Sequence, residues 1–122
     1  MSKKKFENMA KEIYNLCKEY GLWADTIIYF NGKAWTDFAT WNRNEGYKLE
    51  EKLYEYHDKN PLNYFEYANP ETLSMSFEGG LYEVLNGYVL FKGFLDKFNG
   101  IFDKYGFYWE QGHAWNLSAY EV

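Results

Sequence analysis

The chain has one cysteine, two histidines and two prolines in 122 residues, and no apolar run approaching the eighteen or so residues of a membrane span. One cysteine excludes an intramolecular disulfide framework and fits a reducing, cytoplasmic setting. His57 and His113 have no His or Cys neighbours at the short spacings of zinc sites, so neither a metal nor another cofactor is expected. Lys3, Lys4 and Lys5 resemble the start of a secretion signal. Glu7, Lys11 and Glu12 then break the apolar stretch that such a signal needs. The most informative scarcity is local, because residues 60–91 contain no Lys or Arg at all.

What is abundant is aromatic: thirteen Tyr, ten Phe and five Trp make up 23% of the chain, more than a core of this size needs. Some must therefore lie on the surface, where Tyr and Trp combine an apolar face with a polar tip. The net charge of −5 is uneven. The first third is slightly basic, whereas residues 45–83 carry Glu45, Glu50, Glu51, Glu55, Asp58, Glu66, Glu71, Glu78 and Glu83 against only Lys48, Lys52 and Lys59. Such a stretch repels nucleic-acid phosphates and attracts basic protein surfaces.

The pattern predicts a single α+β domain over residues 1–122, with an antiparallel sheet of about five strands and helices in the order α-ββ-α-β-α-α-ββ. Phe6, Met9, Ala10, Ile13, Leu16, Cys17 and Tyr20 recur at helical spacing up to Gly21. Residues 25–30 and 33–36 flank Asn31-Gly32, a strong hairpin signal. Leu49, Leu53 and Tyr56 suggest a second helix over 47–57, closed by Asn60-Pro61. The segment 62–67 reads as a structured loop with a helical turn, and Leu73, Met75 and Phe77 as a strand with one buried face. After Gly79-Gly80 a short helix over 81–85 is expected. Phe91, Phe94, Leu95, Phe98, Ile101 and Phe102 predict the main core helix, ending at Gly106 and followed by a hairpin around Gln111-Gly112-His113. The two ends thus share a helix–hairpin order. Shared demands on glycine at caps and turns are favoured over a duplication as the reason.

No catalytic constellation is legible. Cys17 sits on the apolar helix face and reads as core, and His113 lies in a turn. Glu50, Glu51, Glu55 and Asp58 alternate with lysines as a solvated face does, and Gly79-Gly80 lacks the Lys-Ser/Thr ending of a phosphate loop. What stands out is the acidic, aromatic middle. Tyr64, Glu66, Tyr67, Glu71, Glu78 and Tyr82 are the candidate protein-binding residues. The plainer alternative is that these tyrosines merely edge the core.

Four segments, Tyr20-Gly21-Leu22-Trp23, Tyr29-Phe30-Asn31-Gly32-Lys33-Ala34-Trp35, Asn69-Pro70-Glu71-Thr72-Leu73-Ser74-Met75-Ser76-Phe77-Glu78-Gly79 and Gly112-His113-Ala114-Trp115-Asn116-Leu117-Ser118-Ala119-Tyr120, carry a likeness over nearly the whole length. The chain resembles the small accessory proteins of phages and conjugative elements of low-GC Gram-positive bacteria, anti-CRISPR and anti-restriction proteins among them. By association the resemblance implies an acidic, non-enzymatic inhibitor in the host cytoplasm. Such an inhibitor would occupy a basic nucleic-acid site on a CRISPR effector or restriction nuclease, without touching nucleic acid or membrane itself. It carries over no site residues. Two other readings stand beside it: a small-ligand or carbohydrate module using Trp23, Trp35, Trp41, Trp109 or Trp115 as stacking platforms, and an enzyme whose pocket the sequence does not flag.

Overall fold

The computed structural model describes residues 3–37 and 53–122. Helix α1 (Lys3–Glu19) buries Phe6, Met9, Ala10, Ile13, Leu16 and Cys17 along one stripe. Gly21, at φ 68°, turns the chain into strand β1 (Thr26–Phe30). Asn31 (φ 51°) and Gly32 (φ 76°) form the expected tight turn into β2 (Lys33–Thr36). Strand β3 (Tyr54–His57) precedes a 3-10 turn at Pro61–Asn63, and β4 (Leu73–Phe77) follows. Helix α2 (Gly80–Leu85), helix α3 (Phe94–Lys104), β5 (Phe107–Gln111) and β6 (Asn116–Glu121) complete the order.

The six strands of the described residues form one antiparallel sheet in the order β3-β2-β1-β4-β6-β5. The α+β class is as expected, and the sixth strand is β3. Residues 54–57 were expected to end a helix. They pair instead with β2, Trp35 opposite Glu55 and Ala34 opposite Tyr56. The alternation of Tyr54 and Tyr56 with Glu55 and His57 suits a strand, and the partner β2 decides between two periods that so short a segment cannot distinguish. Residues 47–52 of that expected helix, and Trp41, lie outside the described residues.

Both long helices cover one face of the sheet. There α1 and α3 pack with Ile28, Phe30, Leu73, Met75, Phe77, Leu117 and Phe107. The opposite face has a smaller cluster of Ile27, Tyr29, Ala34 and Phe65, with Trp115 and Ala68 against it. This is why Ser74 is buried as well as Leu73 and Met75, where one buried face of β4 was expected. α3 begins at Phe94 because Gly93 adopts φ 82°. Phe91 therefore precedes the helix, and Phe91 and Leu95 are 40% and 39% exposed, not core. Phe94, Phe98, Ile101 and Phe102 are buried as expected.

The two helix–hairpin units have opposite hands. β1, the first strand of its hairpin, lies beside β4, whereas beside β4 on the other side lies β6, the second strand of its hairpin. With both helices on the same face, no rotation superposes the units, so the topology favours convergence over duplication.

Candidate protein-binding surface

The segment from Asn60 to Thr72 crosses the non-helical face of the sheet. Its start is set locally, since the Asn60 side chain accepts the Leu62 amide (2.9 Å) and Pro61 supplies a helical φ. Phe65 anchors it, with ring centroids 5.7 Å from Tyr29 and 5.6 Å from Trp115. Tyr64 leans on Tyr29 (5.7 Å) yet stays 42% exposed.

Polar contacts then hold the loop to β4 and β6. Tyr67 takes a left-handed φ of 63°, and its carbonyl accepts hydrogen bonds from the Ser118 (3.3 Å) and Tyr120 (3.4 Å) hydroxyls. The Asn69 amide donates to Ser74 Oγ (2.9 Å), and its side chain donates to the Ala119 carbonyl (3.1 Å) and accepts the Glu71 amide (3.2 Å). The Thr72 hydroxyl also donates to Ala119 (2.7 Å). These bonds hold the backbone that carries Tyr64, Glu66, Tyr67 and Glu71 against the sheet.

Four of the six candidate residues, Tyr64, Glu66, Tyr67 and Glu71, therefore share one pinned loop, and all four are exposed. Glu78 and Tyr82 lie beyond the other end of β4. Glu78 is exposed, its amide donating to the Asp25 carbonyl (3.1 Å); Tyr82 is half-buried on α2 and stacks on Tyr88 (6.2 Å, 8°). The β5–β6 turn lies between the two groups. His113 is 5.6 Å from the Tyr67 ring, and the Ala114 carbonyl accepts from Asn86 at the end of α2 (2.7 Å).

The acids of the described residues fall into two groups, those paired with a lysine and those in none of the described salt bridges, the latter including Glu83, Asp96, Asp103, Glu110 and Glu121 as well as the acids of the loop. Glu7, Glu12, Glu19 and Glu55 each pair with a lysine. None of the described salt bridges uses Glu66, Glu71 or Glu78. The perturbed acids are those that join elements. The Tyr105 hydroxyl, then Lys104, holds Glu12 below the usual carboxylate range, and the same Glu12 bond pushes Tyr105 up to about 12. Glu55 is lowered by the Trp35 indole N–H (2.8 Å) and Lys33 (3.0 Å). Tyr29 is raised to about 12, chiefly by burial. Cys17 is buried, as its helix position implied.

Sequence reasoning missed two contributors. His113 and Trp115 stack (5.8 Å, 7°) and extend the aromatic surface from the loop into the β5–β6 turn, a neighbourhood that only the tertiary fold creates. Tyr88, Val89, Leu90 and Phe91 form an exposed apolar connection, with Leu90 87% exposed. The helical spacing had drawn Phe91 into the core; the signal against this was Gly93. Trp23 and Trp35 are buried, and Trp109 and Trp115 are partly covered.

Among the described residues no three His, Cys, Asp or Glu side chains come together as metal ligands would, and no helix is long and apolar enough to cross a membrane. Comparison with protein-family models, curated proteins and solved structures finds no match.

Proposed function

We propose that the chain is a non-enzymatic binding protein that meets a basic protein surface with the loop 64–71, with Glu78 and Tyr82 at the far margin of the contact, across the β5–β6 turn. The observation that carries this reading is the loop itself: exposed Tyr64 and Tyr67 alternate with Glu66 and Glu71, which no described lysine neutralises, on a backbone held to the sheet. Unpaired acids attract a basic partner over a Debye length, and the tyrosines supply contact area at low entropic cost. In the setting that the resemblance implies, the partner is a host defence nuclease, a CRISPR effector or restriction enzyme, whose nucleic-acid site the loop would occupy.

The test is affinity capture from host lysate, followed by calorimetry on the recovered nuclease. Glu66→Lys with Glu71→Lys is expected to weaken binding about tenfold or more and to restore nucleic-acid cleavage. Asp96→Lys with Glu121→Lys changes net charge equally at exposed positions elsewhere and is expected to leave both nearly intact. Glu7 and Glu12 would be poor controls, because both are bonded within the fold. Equal losses from the two double variants would reduce the effect to overall charge, and no loss from the 66/71 pair would remove the loop as the contact.

A further inference from the structure

β5 is an edge strand, and among the described residues no strand pairs with its outer side. The Val122 amide donates to the Gly106 carbonyl (3.1 Å), so these residues form a hydrogen-bonded pair. Antiparallel alternation then makes Tyr108–Tyr120 and Glu110–Ser118 the next such pairs. The N–H and C=O groups of Phe107, Trp109 and Gln111 therefore point away from β6, off the sheet. The protections of this edge are few: 107–111 contains no Lys or Pro and one charge, Glu110, and its register with β6 runs one to one without a bulge.

Hollows flank this edge on both faces. On the helix side, an open cavity of about 490 Å³ is walled by Phe102, Phe107 and Trp109, with Asn99, Gly100 and Asp103 at its rim. Asn99 accepts the Trp109 indole N–H (2.7 Å). Leu95, Asn99 and Phe102 follow at i, i+4 and i+7 on one stripe of α3, which places the exposed Leu95 one turn before the cavity rim. On the other face, a hollow of about 340 Å³ lies among Tyr67, Tyr120, Glu110, Gln111 and Gly112. Two phenol rings and a carboxylate are the chemistry that receives an ammonium or guanidinium group.

An added strand would send alternate side chains into these two hollows. We propose that β5 is the docking edge for an extended protein segment in which large apolar residues alternate with Lys or Arg. Its backbone completes the ladder with Phe107, Trp109 and Gln111; its apolar side chains enter the α3–β5 hollow, and its basic ones meet Glu110 between Tyr67 and Tyr120. A second copy of β5 fits less well, since Phe-Tyr-Trp-Glu-Gln brings no cation to Glu110. This site shares Tyr67 with the loop of the preceding proposal but requires neither Glu66 nor Glu71, so the Glu66→Lys with Glu71→Lys variant separates the two.

The experiment is an amide NMR titration with an acetylated, amidated hexapeptide of alternating leucine and arginine. Shifts confined to 107–111, the facing stripe of α3 and the Tyr67 and Tyr120 walls of the second hollow are expected, with slowed exchange of the Trp109 and Gln111 amides. Replacing the peptide's arginines by glutamate, or Glu110→Lys in the protein, is expected to weaken binding about tenfold, the scale of one charge-assisted contact. Gln111→Pro, which deletes an outward N–H while leaving the bonds to β6, is expected to abolish it. The proposal is overturned by shifts that are absent at millimolar peptide or lie elsewhere, by equal affinity for the glutamate peptide, or by indifference to Glu110→Lys. Sedimentation showing a dimer that Gln111→Pro dissolves would also overturn it, giving the edge to a second copy.

Discussion

Phe98 is fully buried, its ring 5.5 Å from Phe94, 5.1 Å from Phe102 and 5.7 Å from Trp109. Phe98→Ala is expected to cost about 3–5 kcal/mol in urea unfolding, the sum of lost transfer energy and an unfilled cavity. Leu95→Ala, three residues earlier at an exposed position, is expected to cost less than about 1 kcal/mol. Similar losses would mean that the helix is rotated from the orientation described. The periodicity of Phe94, Phe98, Ile101 and Phe102 made the stripe legible, because a 3.6-residue repeat needs no knowledge of the rest of the chain. Its margins were not legible. Whether Leu95 is covered depends on what packs against α3, and whether Phe91 is helical depends on the left-handed Gly93.

At the scale of elements, two glycines separate what local chemistry decides from what packing decides. Gly32 sits at φ 76° in the β1–β2 turn with open space around it, so Gly32→Ala meets only backbone strain, about 1 kcal/mol. Gly79 has a negative φ, yet a Cβ there would lie 2.7 Å from the Ala24 carbonyl oxygen. Gly79→Ala is therefore expected to be the more costly, about 2 kcal/mol or more, because backbone must move. Thermal unfolding of the two variants gives the order, and the reverse order would contradict the close approach of β1's lead-in to the start of α2. Asn31-Gly32 was readable from two residues. The role of Gly79 was not, since Ala24 is distant in sequence. β3 failed to be read for the same reason: Leu53 and Tyr56 fit a helix until pairing with β2, and the Trp35 indole bond to Glu55, make residues 54–57 a strand. The candidate surface was half legible. Composition found the acidic tyrosines of the loop, and only the fold places His113 and Trp115 beside them.

At the scale of the molecule, both hairpins are closed by nearby residues, but β4 is held between strands remote in sequence. Ser74 and Ser118, whose hydroxyls share a hydrogen bond at 2.7 Å, are 44 residues apart, and β1 is comparably distant on the other side. Loop closure of this length precedes any reward from the central pairing, so stopped-flow folding is expected on the millisecond-to-second scale; completion within microseconds would show that β4 is not limiting. The central position of β4 matters earlier still, during synthesis on the ribosome. Until residues 107–121 emerge, one edge of β4 has no neighbour, and the apolar Leu73, Met75 and Phe77 lack the cover of the β5–β6 hairpin. That interval is when the nascent chain is most open to aggregation, and when a chaperone has most to protect.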